Sequence, residues 1–223
     1  MSYGKLTVIC GPMYAGKTTE LLKRILWARN GESKAVLVVK PSFDNRYSDT
    51  KIVSHDGLSV DALAITKWYD VGSLIDDAEL VCFDEVQFFQ EPHFDPEYVG
   101  ERVGIIHVIR SLLSRGTDVV CSGLDMDWKG SPFPITADLV AMADEVLKIT
   151  ANCTQCGRPA GKTFKKVGSE NTVELGATEL YEARCNMHWA QRGSEDGNQS
   201  GASRRRKLGG MNAEVCHPRH SQN

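Results

Sequence analysis

The sequence predicts an α/β protein with a mostly parallel sheet, followed by a small metal-binding lobe. Three observations carry this prediction. Short apolar runs alternate with stretches of helical spacing over residues 5–150, a pattern typical of strands covered by helices on both faces. A glycine-rich loop joins the first apolar run to the first helical stretch. After Thr150 the texture changes, and two short cysteine-containing motifs bracket a polar, glycine-bearing segment.

The individual elements follow from the spacing of the apolar residues. Short continuous apolar runs predict buried strands, and a repeat near 3.6 residues predicts helices. The predicted strands are Lys5–Cys10, Ala35–Lys40, Glu79–Phe83, Asp118–Ser122 and Glu145–Thr150. The predicted helices are Lys17–Asn30 and Arg102–Arg115. Between Ile52 and Ile65 the pattern alternates around an Asp-Gly pair, which favours a hairpin or a strand followed by a loop.

Composition and charge narrow the class of protein. The 223 residues are 41% hydrophobic and 25% charged, as in ordinary globular proteins, and no stretch approaches the ~18 apolar residues of a membrane span. Seven cysteines without a secretory context argue against a disulfide framework and favour the cytoplasm. Six Lys/Arg and three Asp/Glu give residues 190–223 a charge of +3, which leaves −6 for the rest. The acidic body therefore disfavours a specific nucleic-acid partner.

The glycine-rich loop fits the pattern G-x-x-x-x-G-K-[ST], in which backbone N–H groups converge on phosphate oxygens. The helix that begins near Lys17 directs its positive dipole end at the same place. We expect Lys17 to reach the β- and γ-phosphates of a nucleoside triphosphate and Thr18 to hold Mg²⁺. A plain glycine turn is the alternative, but strand and helix both lie where phosphate binding needs them. The candidate nucleotide-binding residues are Gly11, Pro12, Met13, Tyr14, Ala15, Gly16, Lys17 and Thr18.

Two carboxylates, Asp84 and Glu85, follow the apolar strand that ends at Phe83. The carboxyl ends of parallel strands line the ligand crevice of such sheets. We expect Asp84 to act on Mg²⁺ directly or through water, and Glu85 to accept a proton from an attacking hydroxyl. Two solvated acids are the plainer alternative. Motor ATPases and kinases share such a pair, so it does not identify the attacking group.

Two further motifs, Cys153-x-x-Cys156 and Cys185-x-x-His188, supply a Cys₃His set with the spacing of tetrahedral zinc sites. Because all four positions are filled by side chains, we expect structural rather than catalytic zinc. Three other cysteines lie in predicted apolar strands and are expected to be buried thiols: Cys10, Cys82 and Cys121.

Taken together, the motifs resemble those of the type II thymidine kinase family. They are GPMYAGKTT at 11–19, SHDG at 54–57, DEVQFF at 84–89, GLDMDWKGSPF at 123–133 and the metal motifs, in this order over about residues 4–190. The resemblance implies a RecA-like P-loop core and a zinc-ribbon lobe carrying a lasso loop. It also implies transfer of the γ-phosphoryl group of ATP to the 5′-hydroxyl of thymidine or deoxyuridine in pyrimidine salvage. A homotetramer with dTTP as feedback inhibitor is typical of the family.

The resemblance also assigns roles to individual residues. Glu85 corresponds to the general base, Asp84 to the acid beside the metal, and Asp56 and Gln87 to nucleotide contacts. A hairpin Asp-Gly turn is the plainer interpretation of Asp56. The lasso loop corresponds to the 28 residues between Cys156 and Cys185, whose two ends the zinc would tie. Positions that match the nucleoside pocket are Met13, Leu124, Trp128, Phe133, Thr163 and Tyr181.

These assignments divide the chain into a P-loop core at 1–150, a zinc-binding lasso domain at 151–190 and a disordered basic tail at 191–223. The phosphate loop lies over 130 residues before the lobe and is expected to pack separately. Loss of zinc should then weaken thymidine use far more than ATP binding. The alternative function is a P-loop ATPase whose zinc ribbon binds nucleic acid. The lack of stripes mixing Lys/Arg with aromatic residues counts against that function.

Overall fold

The computed structural model describes residues 2–42, 50–54, 57–66, 75, 77–89, 104–166 and 180–190. The described strands are β1 Leu6–Gly11, β2 Val36–Pro41, β3 Lys51–Val53, β4 Ser59–Asp61, β5 Leu63–Ile65, β6 Leu80–Phe83, β7 Asp118–Leu124, β8 Glu145–Lys148, β9 Ala151–Asn152, β10 Pro159–Ala160, β11 Lys162–Lys165 and β12 Tyr181–Arg184. The described helices are α1 Lys17–Asn30, α2 Ile105–Ser114, α3 Pro134–Met142 and α4 Asn186–Ala190, with a short 3₁₀ turn at Val86–Phe88.

The central sheet has six parallel strands in the order β5-β2-β6-β7-β1-β8. Strand β7 pairs with β1 up to Gly11↔Leu124 and with β6 up to Phe83↔Cys121. The phosphate loop after β1 and the acidic pair after β6 therefore leave the same edge of the sheet, with β7 between them. This confirms the predicted α/β class with a mostly parallel sheet.

Alternation along the strands sends apolar side chains to both faces of the sheet. Val8 and Val119 pack with α2 and α3 on one face, and Ile9 and Val120 pack with α1 on the other. All residues of β1 and β6 are buried, which is why these strands read as continuous apolar runs. Each Leu or Ile so buried contributes about 1.5–3 kcal/mol to the burial side of stability.

The alternating segment between Ile52 and Ile65 forms a hairpin, as expected, and then a third short strand. β3 and β4 pair antiparallel, and Gly57 adopts a φ of 82° in their connection. β5 follows at once and joins the edge of the main sheet beside β2. The sequence did not predict this pairing, nor did it predict α3, which begins with Pro134 in its first turn.

The metal-binding motifs lie in a smaller region built from two antiparallel ribbons, β9–β10 and β11–β12, and the short helix α4. All described residues belong to one compact unit, Met1–Gln191. The predicted tail at 191–223 lies outside the described residues, as do residues 102 and 103 of the predicted second helix. No described helix has the length and apolar character that crossing a bilayer requires.

Candidate active site

The phosphate loop needs its two glycines for different reasons. A Cβ on Gly11 would overlap the carbonyl oxygen of Ile149, so a side chain has no room there. No atom of the described residues lies within 4 Å of a Cβ built on Gly16, but Gly16 adopts a φ of 81° at the start of α1, a conformation that favours glycine. Tyr14 between them also has a positive φ, of 64°, which is uncommon for a bulky residue and requires support from its surroundings.

Lys17 and Thr18 occupy the first turn of α1, where backbone N–H groups have no partners within the helix. Lys17 Nζ donates a hydrogen bond to the carbonyl oxygen of Pro12 at 2.8 Å. The ammonium group therefore lies over the phosphate loop. There it would act together with the loop's amide groups to neutralise bound phosphates. The loop pattern predicts that this lysine reaches phosphate oxygens, and that role stays a prediction.

The acidic pair leaves β6 in two different conformations. Asp84 is 6% exposed, and its N–H still bonds the carbonyl oxygen of Val39 at 3.0 Å, which extends the ladder to β2. Glu85 turns away with φ 50° and ψ 43° and heads the 3₁₀ turn Val86–Phe88. Since adjacent strands lie about 4.8 Å apart, the ends of β6 and β1 are about 10 Å apart across β7. A Mg²⁺ ion and a phosphate group between them can span that separation.

Gln87 is buried next to this turn, and its side chain connects the carboxylate of Glu85 to the end of β7. Its Nε2 donates to Glu85 Oε2 at 2.6 Å, and its Oε1 accepts from the N–H of Leu124 at 2.9 Å. The side chain is 2% exposed. The amide is therefore engaged at both ends by the protein itself.

The four residues of the metal motifs converge, as the spacing predicts. The ligand atoms of Cys153, Cys156, Cys185 and His188 all lie within 4.8 Å of one another. His188 Nδ1 is 3.5 Å from Cys153 Sγ and 3.4 Å from Cys185 Sγ, and the Cys156 and Cys185 sulfurs are 3.9 Å apart. Tetrahedral zinc with Zn–S bonds of about 2.3 Å requires sulfur separations of about 3.8 Å. The donor set therefore fits zinc in both chemistry and dimensions.

The environment of Cys153 favours the thiolate that a metal needs. Burial by itself raises the pKa of this thiol, but backbone N–H groups of Cys185 and Gln155, together with the His188 ring, lower it to about 6. The strand thiols behave in the opposite way. Cys10, Cys82 and Cys121 are buried, as expected, and burial raises the pKa of Cys82 to about 12.

The lobe packs directly on the phosphate loop. A small cluster of buried lobe residues contains Ala151, Cys153, Ala160 and Ala183, and Tyr14 and Ala15 of the loop pack against it. In addition, the N–H of Met13 donates to Thr163 Oγ1 at 3.1 Å. The expectation that the phosphate loop packs separately from the lobe is therefore wrong. The three alanines involved are too small to form a visible apolar pattern in the sequence.

Four of the six residues predicted for the nucleoside pocket lie in two pairs. Thr163 on β11 meets Met13 through the hydrogen bond just described, and it is 5% exposed. Lys165 lies between two aromatic rings, with its Nζ 5.4 Å from the centre of Trp128 and 5.9 Å from that of Tyr181. The remaining two flank this region along the chain: Leu124 ends β7, and Phe133, which is 9% exposed, precedes α3.

The sequence model of the family described as thymidine kinase matches residues 4–189. This chain belongs to the thymidine kinase family. A curated thymidine kinase of Thermococcus kodakarensis is 36% identical over 197 residues, covering 83% of this chain and 93% of the relative. A thymidine kinase of Coprothermobacter proteolyticus is 39% identical over 191 residues, covering 83% and 90%.

Solved structures also align with the chain, at lower similarity. Domain III of the Thermotoga maritima replication initiation protein DnaA has a TM-score of 0.41 at 16% identity, covering 67% of this chain and 56% of that chain. AMPPCP-bound DnaA from Aquifex aeolicus has a TM-score of 0.39 at 13% identity, covering 66% and 41%. Similarity at this level carries no argument about the thymidine kinase site.

Two features of this thymidine kinase site were missed in the sequence. Lys165 between the two rings was not foreseen, although its position two residues after Thr163 on a strand puts both on one face. Trp189 follows the last metal ligand, and its indole N–H donates to the carbonyl oxygen of Thr163 at 3.1 Å. Gly130 makes room for it, because a Cβ there would stand 2.9 Å from the Trp189 ring.

Some predicted positions of the thymidine kinase site fall outside the described residues. Asp56 is one of them, and residues 167–179 of the expected lasso loop are another. Val86 is fully buried in the core cluster shared by α2 and α3.

Proposed function

We propose that this protein transfers the γ-phosphoryl group of ATP to the 5′-hydroxyl of thymidine or deoxyuridine, which yields the 5′-monophosphate. Membership of the thymidine kinase family implies thymidine and ATP as substrates. The observation that carries the proposal for this chain is the hydrogen bond from Met13 N–H to Thr163 Oγ1 at 3.1 Å. It joins the loop suited to the donor phosphates to the lobe that the resemblance assigns to the nucleoside.

On the donor side, we propose that the amides of residues 11–18 and Lys17 hold the triphosphate. Thr18 and Asp84 are the proposed ligands of Mg²⁺, which would supply charge neutralisation between the phosphates. Three features support this assignment: the positive φ of Gly16, the position of Lys17 over the loop, and the shared sheet edge. Asp56 and Gln87 were expected to contribute to nucleotide binding. Asp56 stays a proposal, whereas the amide of Gln87 is buried and bonded at both ends by the protein itself.

On the acceptor side, Glu85 is the proposed general base. Its left-handed conformation turns its backbone out of the strand, and Gln87 fixes one carboxylate oxygen at 2.6 Å. The other carboxylate oxygen of Glu85 is the proposed acceptor of the proton of the 5′-hydroxyl group. The oxygen of that hydroxyl group attacks the γ-phosphorus. The remaining work of the protein is positioning and charge neutralisation, as is usual in phosphoryl transfer.

The nucleoside is proposed to lie between the end of β7 and the lobe. Trp128 and Tyr181, whose rings both lie near Lys165 Nζ, are the proposed aromatic contacts of the pyrimidine ring. Contacts from the expected lasso loop would complete the pocket and exclude water, so that ATP is not simply hydrolysed. The proposed pocket residues are Met13, Leu124, Trp128, Phe133, Thr163 and Tyr181.

Zinc in the Cys₃His set is proposed to be structural. All four ligand positions come from side chains, and the two motifs lie at the two ends of the expected lasso loop. We further propose a cytoplasmic homotetramer with dTTP as feedback inhibitor, as the resemblance implies. The six described cysteines form no disulfide, which is in keeping with a reducing compartment.

The rival function, a nucleic-acid-dependent ATPase, receives one observation in its favour. Basic side chains of the metal-binding lobe lie over aromatic rings in the folded chain, although they form no visible pattern in the sequence. Lys162 Nζ is 5.4 Å from the centre of the Trp189 ring, and Arg184 Cζ is 3.4 Å from the centre of the Phe164 ring. Cations beside aromatic rings are typical of proteins that bind single strands, but membership of the thymidine kinase family outweighs these two pairs.

A nucleoside panel tests the proposed function. Purified protein is incubated with Mg·ATP and each common nucleoside, and monophosphate formation is followed by chromatography. We expect product with thymidine and deoxyuridine only. Parallel reactions with single-stranded DNA follow phosphate release. Release that rises with DNA and not with thymidine would replace the kinase by the ATPase.

A further inference from the structure

We propose that Gln87 is a positioning residue for Glu85, and that Gly123 exists to admit it. The inference rests on the proposed role of Glu85 as the general base. The resemblance assigned Gln87 to the nucleotide instead. Its burial to 2% exposure and its two protein contacts place its amide beneath the acidic turn.

The chemistry of the contacts fixes the orientation of the amide. The Leu124 N–H can only donate, so the atom 2.9 Å from it must be the amide oxygen. The NH₂ group is then the end that faces Glu85 Oε2 at 2.6 Å, where it meets a carboxylate that accepts. A flipped amide would set donor against donor at one end and acceptor against acceptor at the other. The side chain therefore has one orientation, and it holds one carboxylate oxygen in place.

The turn itself needs such support. Glu85 has φ 50° and ψ 43°, a conformation that residues with a side chain seldom adopt and that surrounding contacts must maintain. Its carbonyl oxygen accepts from the N–H of Phe88 at 3.0 Å. Gln87 adds a tie from the carboxylate to β7, the strand that separates β6 from the phosphate loop.

Gly123 leaves the space that the Gln87 side chain needs. On β7 it is paired with Cys10 of β1 and lies two residues beyond the last pair with β6, where the 3₁₀ turn crosses the strand. A Cβ on Gly123 would overlap Gln87 Oε1 and stand 2.8 Å from Val86 Cγ1. Because Gly123 has no positive φ, its glycine is explained by the space that Gln87 and Val86 occupy and not by backbone conformation.

The test compares Gln87→Met, which keeps the volume and removes both hydrogen bonds, with Gln87→Glu. The Glu variant retains an acceptor for the Leu124 N–H but presents a second carboxylate to Glu85. For both we expect kcat to fall about 10- to 100-fold, the scale of a misplaced catalytic group. The dissociation constants of a non-hydrolysable ATP analogue and of thymidine should stay near wild type. An ATP-analogue affinity that falls in step with turnover would overturn the proposal and make Gln87 a nucleotide contact.

Gly123→Ala supplies a second arm, with Gly104→Ala as the matched control because no atom of the described residues lies within 4 Å of a Cβ on Gly104. Gly123→Ala should reproduce the kcat loss, and the double variant with Gln87→Met should lose no more than either single variant. Thermal melting verifies folding in each case. If Gln87→Met does not fold, Gln87→Glu and Gly123→Ala decide the question.

A Glu85→Gln background separates failure of this inference from failure of the proposed base. If Glu85→Gln turns over at the wild-type rate, the base assignment fails. If Glu85→Gln is slow but Gln87→Met and Gly123→Ala are not, only the positioning role fails. With both roles correct, adding Gln87→Met to Glu85→Gln should change kcat little, because the group that Gln87 positions is already gone.

Discussion

Removing zinc should weaken ATP binding as well as thymidine binding. The variant of choice is Cys156→Ser, because Cys156 is exposed whereas Cys153 is buried. Loss of this ligand releases the turn that carries Cys153, which belongs to the cluster on which Tyr14 and Ala15 pack. This expectation replaces the earlier one, from sequence alone, that ATP binding would be largely spared.

The magnitude follows from the contacts that the phosphate loop would lose. The hydrogen bond from Met13 to Thr163 contributes about 1 kcal/mol net. Partial exposure of Tyr14 and Ala15 costs a further 1–2 kcal/mol or so. If the nucleotide must restore these contacts, ATP affinity falls by about 2–3 kcal/mol, roughly 30- to 150-fold. The positive φ of Tyr14 adds to the effect, since its strain is held in place by the same packing.

The assay is separate calorimetric titration with a non-hydrolysable ATP analogue and with thymidine, alongside zinc content and melting temperature. Cys216→Ser, outside the metal set, is the control for removing a thiol. Thr163→Val isolates the hydrogen bond and should cost about 1 kcal/mol of ATP-analogue affinity, which Thr163→Ser should restore. A zinc-free, folded Cys156→Ser protein with unchanged ATP-analogue affinity would refute the dependence of the loop on the lobe.

Three further outcomes are expected. Glu85→Gln should keep ATP-analogue affinity while turnover falls roughly 10²–10⁴-fold, measured by steady-state kinetics; near wild-type turnover would exclude Glu85. Hydrogen bonds from Arg24 and Lys5 lower the pKa of Glu145 to about 2. Its stabilising contribution is therefore complete above its ordinary pKa of about 4.5 and lost as pH falls towards 2. Glu145→Gln should lower the free energy of unfolding by under about 1 kcal/mol at neutral pH, measured by denaturant titration, because the ion pairs of Glu145 are partly exposed. The difference from wild type should vanish in acid. Deleting Gly193–Asn223 should leave activity and melting temperature unchanged; a loss of either would show that the tail docks.

Much of the fold was predictable because its central strands are buried on both faces. β1, β6 and β7 read as continuous apolar runs, and their observed bounds differ from prediction by at most two residues. Helix α3, PITADLVAM, escaped notice because apolar residues surround most of its axis, which leaves no contrast between faces. The pairing of β5 was not predicted because a run of three residues does not indicate whether it continues a hairpin or joins another sheet.

At the site, the types of functional residue were predictable, but the contacts that hold these residues in place were not. The phosphate loop, the acidic pair and the Cys₃His set each carry their chemistry in a short motif. Gln87 gains its role only when Gly123, 36 positions later, leaves space for it, and no local pattern links the two. The contact of the loop with the lobe likewise depends on alanines distant in sequence, which only the folded chain brings to Tyr14.

The contact between loop and lobe also has a thermodynamic consequence for the two substrates. Whatever orders the lobe favours the conformation in which Thr163 accepts from Met13, and whatever orders the phosphate loop favours the same hydrogen bond. Coupling of this kind is reciprocal, so any factor by which thymidine tightens ATP-analogue binding must equal the factor in the reverse direction. Zinc, by holding the lobe folded in advance, would reduce how much ordering each substrate has to supply. The coupling should therefore be small in the zinc-bound protein and large in Cys156→Ser.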